Sequence, residues 1–343
     1  MLISEFDYEL PAGLIAQTAA EKRDSSRMLV VDRGKGKFTD HTFTDLPSFV
    51  RPGDVIVVNN TKVFPARRIG NSETGAKVEA FLVNENADGS WDVLARPAKR
   101  LHCGKRIDFD EALSAEVVDK LPDGKVRLKF ESKGDFFEIL NNVGLTPLPP
   151  YIRRDRAAVD TDRDRYQTVY AKERGAIAAP TAGLHFTTEM FDRLSGAGAE
   201  VAEITLHVGY GTFEPVRADD LADHRVSPES YNISEKAAQK LGRARSEGRR
   251  SIAIGTTTTR ALESSFHGSE RIDPGNRIAD LTITPGYEFR IVDSLLTNFH
   301  LPQSSLLVLT AAFGGHELIM NAYHHAVRSE YRFYSYGDCM LIV

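Results

Sequence analysis

The sequence predicts an α/β fold, a mixed sheet covered by helices, with an inserted small all-β domain of barrel type. Two textures carry that reading. Between 76 and 131, short alternating strands follow one another across glycine turns. From 176 to 328, strands alternate with helices. A stiff, Leu- and Pro-rich stretch at 145–151 separates the two. The chain is therefore expected to comprise a discontinuous α/β domain, 1–66 plus 148–343, and an insert, 67–147.

Residues 29–32 and 54–58 are apolar, β-branched runs bounded by Pro, Gly and Asn, and read as strands. In the insert, strands are expected at 77–83, 90–95, 113–120 and 125–130. Asp88-Gly89 and Asp123-Gly124 mark hairpin turns, because glycine tolerates positive φ. Residues 135–142, with Phe136, Phe137, Ile139 and Leu140, form a short helix. Beyond the linker, strands are expected at 176–179, 200–207, 251–254 and 289–293. Helices are expected at 188–194, 235–247, from about 260, at 305–313 and at 317–328. There is no internal repeat and no low-complexity tract.

The chain has 343 residues, 41% apolar and 27% charged, which excludes a disordered or fibrous protein. Lys and Arg number 43 against 48 Asp and Glu, a net charge of −5. The protein is thus not basic overall, although nucleic-acid binding needs only a local basic patch. Two cysteines, Cys103 and Cys339, 236 positions apart, cannot supply four ligands to a zinc or iron–sulfur site, and a reducing compartment is expected. The N-terminal residues are acidic where a signal peptide is basic and then apolar. Residues 294–316 lack charge but contain Asn298, His300, Pro302 and Gln303, and do not read as a membrane span. A soluble, cytoplasmic protein is expected. No GxxxxGK[ST] loop, GxSxG elbow or CxxxCxxC trio is present.

Ligands of open α/β sheets bind where strand ends feed helix N-termini. Three such junctions are rich in small, hydroxyl and imidazole groups: 179–186, which holds Thr181, Gly183 and His185; 254–260, which holds Gly255, Thr256, Thr257 and Thr258; and 296–302, which holds Asn298 and His300. Free backbone N–H groups and hydroxyls there suit a carboxylate or a phosphate. Plain helix capping explains any single junction equally well. His185, His207 and His300 lie at or beside these junctions, and Asp293 is read as ending the strand that leads into the third. Imidazoles suit acid–base work near neutral pH. Satisfied structural histidines remain the alternative.

Basic residues cluster twice. Arg96, Lys99, Arg100, Lys105 and Arg106 occur on the insert with no acid among them. Arg153, Arg154 and Arg156 precede Tyr166 and Tyr170. Charge beside aromatic rings suits phosphate contact and base stacking, while solvated surface is the plain alternative. The residues alone lead to an α/β enzyme with a β insert, an anionic ligand and an RNA contact left open.

At these same junctions the chain resembles the S-adenosylmethionine:tRNA ribosyltransferase-isomerase family of the queuosine pathway. The matching strings include Phe6-Asp7-Tyr8-Glu9-Leu10-Pro11, Asn59-Asn60-Thr61-Lys62-Val63, Tyr166-Gln167-Thr168-Val169-Tyr170, residues 179–186, Leu206-His207-Val208-Gly209, Gly211-Thr212-Phe213, Gly255-Thr256-Thr257, residues 297–302, and Tyr331-Arg332-Phe333-Tyr334-Ser335-Tyr336-Gly337-Asp338. They run nearly end to end and in the family's order. Two positions depart. Val226-Ser227-Pro228-Glu229 stands where the family usually has Met-His-Ser-Glu, so no histidine acts at 227, and Ala19 replaces a usual proline.

The resemblance implies transfer and isomerisation of the ribosyl part of S-adenosylmethionine onto 7-aminomethyl-7-deazaguanine at the wobble position of tRNA. Epoxyqueuosine would form, with adenine and methionine leaving. S-Adenosylmethionine would be a consumed co-substrate, with no prosthetic group and no metal, and tRNA would be the partner; self-association stays open. His185, His207, Asp293 and His300 become the expected catalytic set. Asn59, Asn60, Thr181, Gly183, Gly211, Thr212, Gly255, Thr256, Thr257, Thr258 and Asn298 become the expected substrate-binding set. Arg67, Arg68, Lys99, Arg100, Arg106, Arg153 and Arg154 are the expected tRNA contacts. An RNA methyltransferase and a noncatalytic RNA-binding protein are the rival readings.

Overall fold

The computed structural model describes all residues except 123, 144, 145, 150, 153–158, 210, 212–215 and 267–270, and all their side chains except those of 143 and 159–161. In the N-terminal part, β1 (Arg27–Asp32) turns back into β2 (Lys37–Thr42), and β3 (Val55–Asn59) is followed at once by β4 (Thr61–Val63). The insert then contributes β5 (Arg67–Ser72), β6 (Lys77–Glu85), β7 (Ser90–Arg96), β8 (Arg106–Asp110), β9 (Leu113–Lys120) and β10 (Val126–Ser132), followed by α1 (Phe136–Val143). These six strands pair antiparallel and close in the order β10-β7-β6-β5-β8-β9, which leaves no free edge. Alternate residues such as Val78, Ala80, Leu82, Trp91, Val93, Val126 and Leu128 fill the barrel. Leu140 of α1 joins this core, and Phe136 and Phe137 pack against Trp91.

The second part of the α/β domain holds α2 (Val159–Arg165), β11 (Glu173–Ala176), α3 (Thr188–Gly196), β12 (Glu200–Leu206), β13 (Glu229–Ile233), α4 (Glu235–Ser246), β14 (Ser251–Ile254), α5 (Thr256–Ser264), β15 (Gly275–Ala279), β16 (Ser294–Asn298), α6 (Ser305–Gly314), α7 (His316–Arg328) and β17 (Cys339–Ile342). Nine strands form one mixed sheet in the order β15-β13-β12-β3-β14-β16-β17-β1-β2, and β4 pairs with β11 separately. β12, β3, β14 and β16 run parallel. The period-2 alternation of the strands splits the core in two. Leu29, Val31, Val57, Ala253 and Leu295 pack with α4, α5, α6 and α7. Met28, Val30, Ile56, Ile252 and Leu296 face the other way, with Met190 and Leu194 of α3.

Three expected elements shift. The strand expected at 176–179 is Glu173–Ala176. The strand expected at 289–293 is instead Ser294–Asn298, because the backbone N–H groups of Arg290, Ile291 and Val292 donate to the Glu263 carboxylate at 3.0 Å each. The helix expected from about 260 starts at Thr256. Its four threonines are weak helix formers, but tertiary burial holds all of them in the first turn. Asp293 consequently precedes its strand and does not end it.

Candidate active site

The carboxyl ends of the four parallel strands bring Asn59, Leu206, Ile254 and Asn298 to one rim of the sheet. Three neighbouring hollows that share wall residues lie along it. An inner cavity of about 50 Å³ is walled by Ala178–Ala182, Gly255–Thr257, Thr297–His300, Leu306, Tyr151, Tyr334 and Ser335. A second, of about 30 Å³, shares Thr256, Thr257 and Leu306 with it and adds Glu229, Arg260 and Ser305. The third is a cleft of about 1540 Å³ between this rim and the barrel, whose wall supplies Asn84, Trp91 and Asp92. Gly211, His224, Ser227, Glu229 and Ser305 line both the cleft and the second cavity.

Gly255 takes φ +93°, a conformation other residues rarely adopt, and turns the chain from β14 into α5. The first N–H groups of α5 have no partner within the helix, so they present positive partial charge at the cavity wall. Thr256 and Thr257 line the cavity. Thr258 does not: its hydroxyl donates back to the Ile254 carbonyl at 2.7 Å, as that of Thr259 does to Gly255. Tyr334, also in the wall, sits at φ +75°, a strained position of the kind found at functional sites.

Asn298 links the cavity to His185. Its Nδ2 is 3.2 Å from His185 Nε2 and also donates to the Tyr334 carbonyl, while its buried Oδ1 has no hydrogen-bond partner among the described residues. His185 Nδ1 lies 2.9 Å from Ser26 Oγ. An amide donor at Nε2 fixes the proton on Nδ1, so Ser26 accepts it. Burial, reinforced by Arg332 and Arg23, holds this ring down at about 4. His185 does not line the inner cavity but stands behind Asn298. His300 does line it; its Nε2 is 2.9 Å from Thr297 Oγ1, and burial holds it at about 3. Both rings are neutral at pH 7.

His207 faces the cleft, with Nδ1 2.8 Å from Thr61 Oγ1 and its pKa lowered by burial. It stacks so closely on Gly175 that a Cβ there would come within 2.6 Å of the ring. Arg260 Nη1 and Glu229 Oε2 form a buried pair at 2.6 Å, and Glu229 Oε1 accepts the Gly209 N–H at 2.8 Å. His224 Nε2 lies 2.8 Å from Ser305 Oγ at the start of α6. Ser227 sits where a Cβ on Gly211 would come within 2.6 Å of it.

The fold therefore gathers Thr181, Gly255, Thr256, Thr257, Asn298 and His300 around one cavity, and Gly211 and His207 along the adjoining cleft. Other expected residues lie elsewhere. Asp293 is at the opposite rim, where its carboxylate accepts the Ser251 N–H at 2.8 Å. Asn59 satisfies the backbone of Thr61 and Leu206, and Asn60 binds Glu203 and Thr205. These amides stitch the β3-to-β4 step to β12. Gly183 packs under Tyr170. Among the expected tRNA contacts, Arg68 is 2% exposed and pairs with Asp110, so it offers no surface charge. Arg67 is held by Glu79, and Arg106 by Asp108 and Glu131. Lys99 and Arg100 are exposed and form no ion pair among the described residues. Thr212, Arg153 and Arg154 lie outside the described residues.

Sequence reasoning missed His224, Ser305, Arg260 and Glu229. In the sequence Ser305 marks only the start of the helix expected at 305–313, and nothing local joins residues 81 positions apart. Among the described residues no group of His, Cys, Asp or Glu is arranged to hold a metal ion. Nor is any helix among them long and apolar enough to cross a membrane.

Comparison with known proteins gives a consistent picture. The family model described as "Queuosine biosynthesis protein" matches residues 3–342. The chain is similar to proteins named S-adenosylmethionine:tRNA ribosyltransferase-isomerase from Carboxydothermus hydrogenoformans and Syntrophotalea carbinolica, at 48% identity in each case and over 100% of both chains. It is also similar to the crystal structure of S-adenosylmethionine tRNA ribosyltransferase from Thermotoga maritima, with 34% identity, a TM-score of 0.56 and coverage of 99% of this chain and 100% of that one.

Proposed function

The chain belongs to the queuosine biosynthesis protein family, and from that premise we propose that it is an S-adenosylmethionine:tRNA ribosyltransferase-isomerase. Its reaction moves the ribosyl part of S-adenosylmethionine onto the aminomethyl nitrogen of 7-aminomethyl-7-deazaguanine at the tRNA wobble position. The product is epoxyqueuosine, and adenine and methionine depart.

The observation that carries this reading is the shared walls of the three hollows: a narrow, hydroxyl-lined recess at the starts of α5 and α6 adjoins a cleft with volume enough for a nucleotide. The methionine carboxylate suits the N–H groups of Thr256 and Thr257 at the positive end of α5. Tyr151 and Tyr334 in the same wall suit a sulfonium, which is attracted to aromatic faces. The Oδ1 of Asn298, without a partner among the described residues, is an acceptor for an amine or a hydroxyl. His207, which lines the cleft, can accept a proton, while His300, held neutral at about 3, can hydrogen-bond the substrate at the inner cavity. The sulfonium acidifies the adjacent carbon, the amine must lose a proton before attack, and adenine must gain one or a hydrogen bond. Positioning of the two substrates supplies much of the remaining acceleration. The tRNA approaches across the barrel face that carries Lys99 and Arg100.

The test incubates the protein with S-adenosylmethionine and tRNA bearing the modified base, and follows free adenine by chromatography. Adenine and methionine in equal amounts support the reading. S-Adenosylhomocysteine in their place would make the protein a methyltransferase. RNA binding without either product would make it a noncatalytic binder.

A further inference from the structure

Resting on the reaction just proposed, we infer that His224, oriented by Ser305, accepts the proton of the attacking aminomethyl nitrogen. Three observations lead there. His224 lines both the cleft and the second cavity, at the place where the inner recess meets the space for a nucleotide. His207 lines the cleft alone, and His300 lines the inner cavity alone. His224 is 8% exposed, and its ring is held at one nitrogen, Nε2, by Ser305 Oγ at 2.8 Å. Its other nitrogen, Nδ1, has no hydrogen-bond partner among the described residues. One nitrogen anchored and one open is the arrangement a general base needs.

The hydrogen bond works in both protonation states. In the base form Nε2–H donates to Ser305 Oγ and Nδ1 carries the lone pair. After proton transfer both nitrogens carry hydrogen and the bond to Ser305 persists, so the ring does not turn over. Charges around the ring keep the base form. Arg225 and Arg217 lie on its own segment and favour the neutral ring, whereas Asp223 opposes them. Arg260 from α5 is cancelled by Glu229 from β13, and α6 brings only Ser305. His207 enters from the end of β12. Burial, then Arg225, places His224 below its ordinary value.

The step balances. The N–H electron pair stays on nitrogen and forms the new N–C bond, and the proton goes to Nδ1 and then to cleft water; over the whole reaction the ribosyl C–N bond breaks with its pair on adenine and the C–S bond with its pair on the methionine sulfur.

The experiment measures single-turnover adenine release between pH 5 and 8.5 for the wild type, His224→Gln, Ser305→Ala, and His224→Ala with and without imidazole, with thermal unfolding as the check on folding. The wild-type rate is expected to fall with unit slope on the acid side, the break lying below histidine's ordinary value of about 6.5. His224→Gln should slow release by about 10²–10⁴-fold, with KM for S-adenosylmethionine little changed and the acid limb abolished. Imidazole should restore His224→Ala in proportion to its free base. Ser305→Ala should shift the limb. A His224→Gln enzyme that keeps the wild-type rate and limb overturns the inference, as does a loss confined to KM or a His224→Ala enzyme that imidazole does not restore. A wild-type enzyme releasing no adenine overturns the reaction itself, and the inference with it; the wild-type arm alone separates that case.

Discussion

Asn298 Nδ2 lies 3.2 Å from Nε2 of His185, a residue 113 positions earlier in the chain. The contact fixes the His185 tautomer, and Asn298, which lines the cavity, keeps an Oδ1 without a hydrogen-bond partner among the described residues. Asn298→Leu strips the donor from a buried ring nitrogen, which costs about 1–3 kcal/mol. Urea unfolding should register that loss, and KM for S-adenosylmethionine should rise. His185→Gln can keep both hydrogen bonds, so it should lose less than Asn298→Leu does; a larger loss would remove the assigned role.

Acid sensitivity follows from the two buried rings. His185 at about 4 and His300 at about 3 bind protons less well in the fold than in the unfolded chain, where histidine titrates near 6.5. The unfolded state therefore takes up more protons below pH 6.5, and stability falls as pH falls. Their contribution is complete above that value and is lost between about 6.5 and 3. At pH 5 the loss is about 2 kcal/mol for each ring. Urea midpoints measured from pH 7.5 to 5 should drop accordingly, and His300→Gln should flatten the curve.

Arg260 and Glu229 form a buried pair at 2.6 Å beside the second cavity. Removing one partner strands a charge, so Glu229→Ala should cost about 3–5 kcal/mol. The double variant Glu229→Leu with Arg260→Met should cost clearly less. Equal losses in the two would show that the pairing is not what matters.

At Gly183 an added Cβ would lie 2.0 Å from Tyr170 Oη and 2.8 Å from Thr168 Cγ2. Gly183→Ala should destabilise by about 1–3 kcal/mol through overpacking. Tyr170→Phe in the same chain should recover part of it, measurable as a coupling in a double-mutant cycle.

For tRNA, Lys99 and Arg100 have no ion-pair partner among the described residues, whereas Arg67 and Arg106 are engaged by acids. Neutralising Lys99 and Arg100 together should reduce the salt slope of tRNA binding by about 1.5. Arg67→Gln should change it little. The reverse order would move the tRNA path off this face.

Much of the architecture was legible in the chain. Alternation in 77–83 or 113–120 and helical spacing in 235–247 are local patterns set by which face each residue must bury, and turn glycines punctuate them. The strand before Asn298 was misplaced because Arg290, Ile291 and Val292 look extended and apolar, while their N–H groups are in fact taken by Glu263.

The junction residues were legible as a group, because small and hydroxyl residues at strand ends are uncommon and the family strings coincide with them. By itself the sequence determined the α/β-plus-barrel plan, the family and the rim on which Gly255, Thr257 and His300 stand. Tertiary structure alone decided that Asp293 lies at the far rim, that Asn59 serves the backbone while Asn60 binds the side chains of Glu203 and Thr205, that Arg68 is buried against Asp110, and that His224 meets Ser305. The reason is range. Periodicity and turn preference act over a few residues, whereas a side chain's hydrogen-bond partner and its exclusion from water depend on segments that only the folded sheet and barrel bring together.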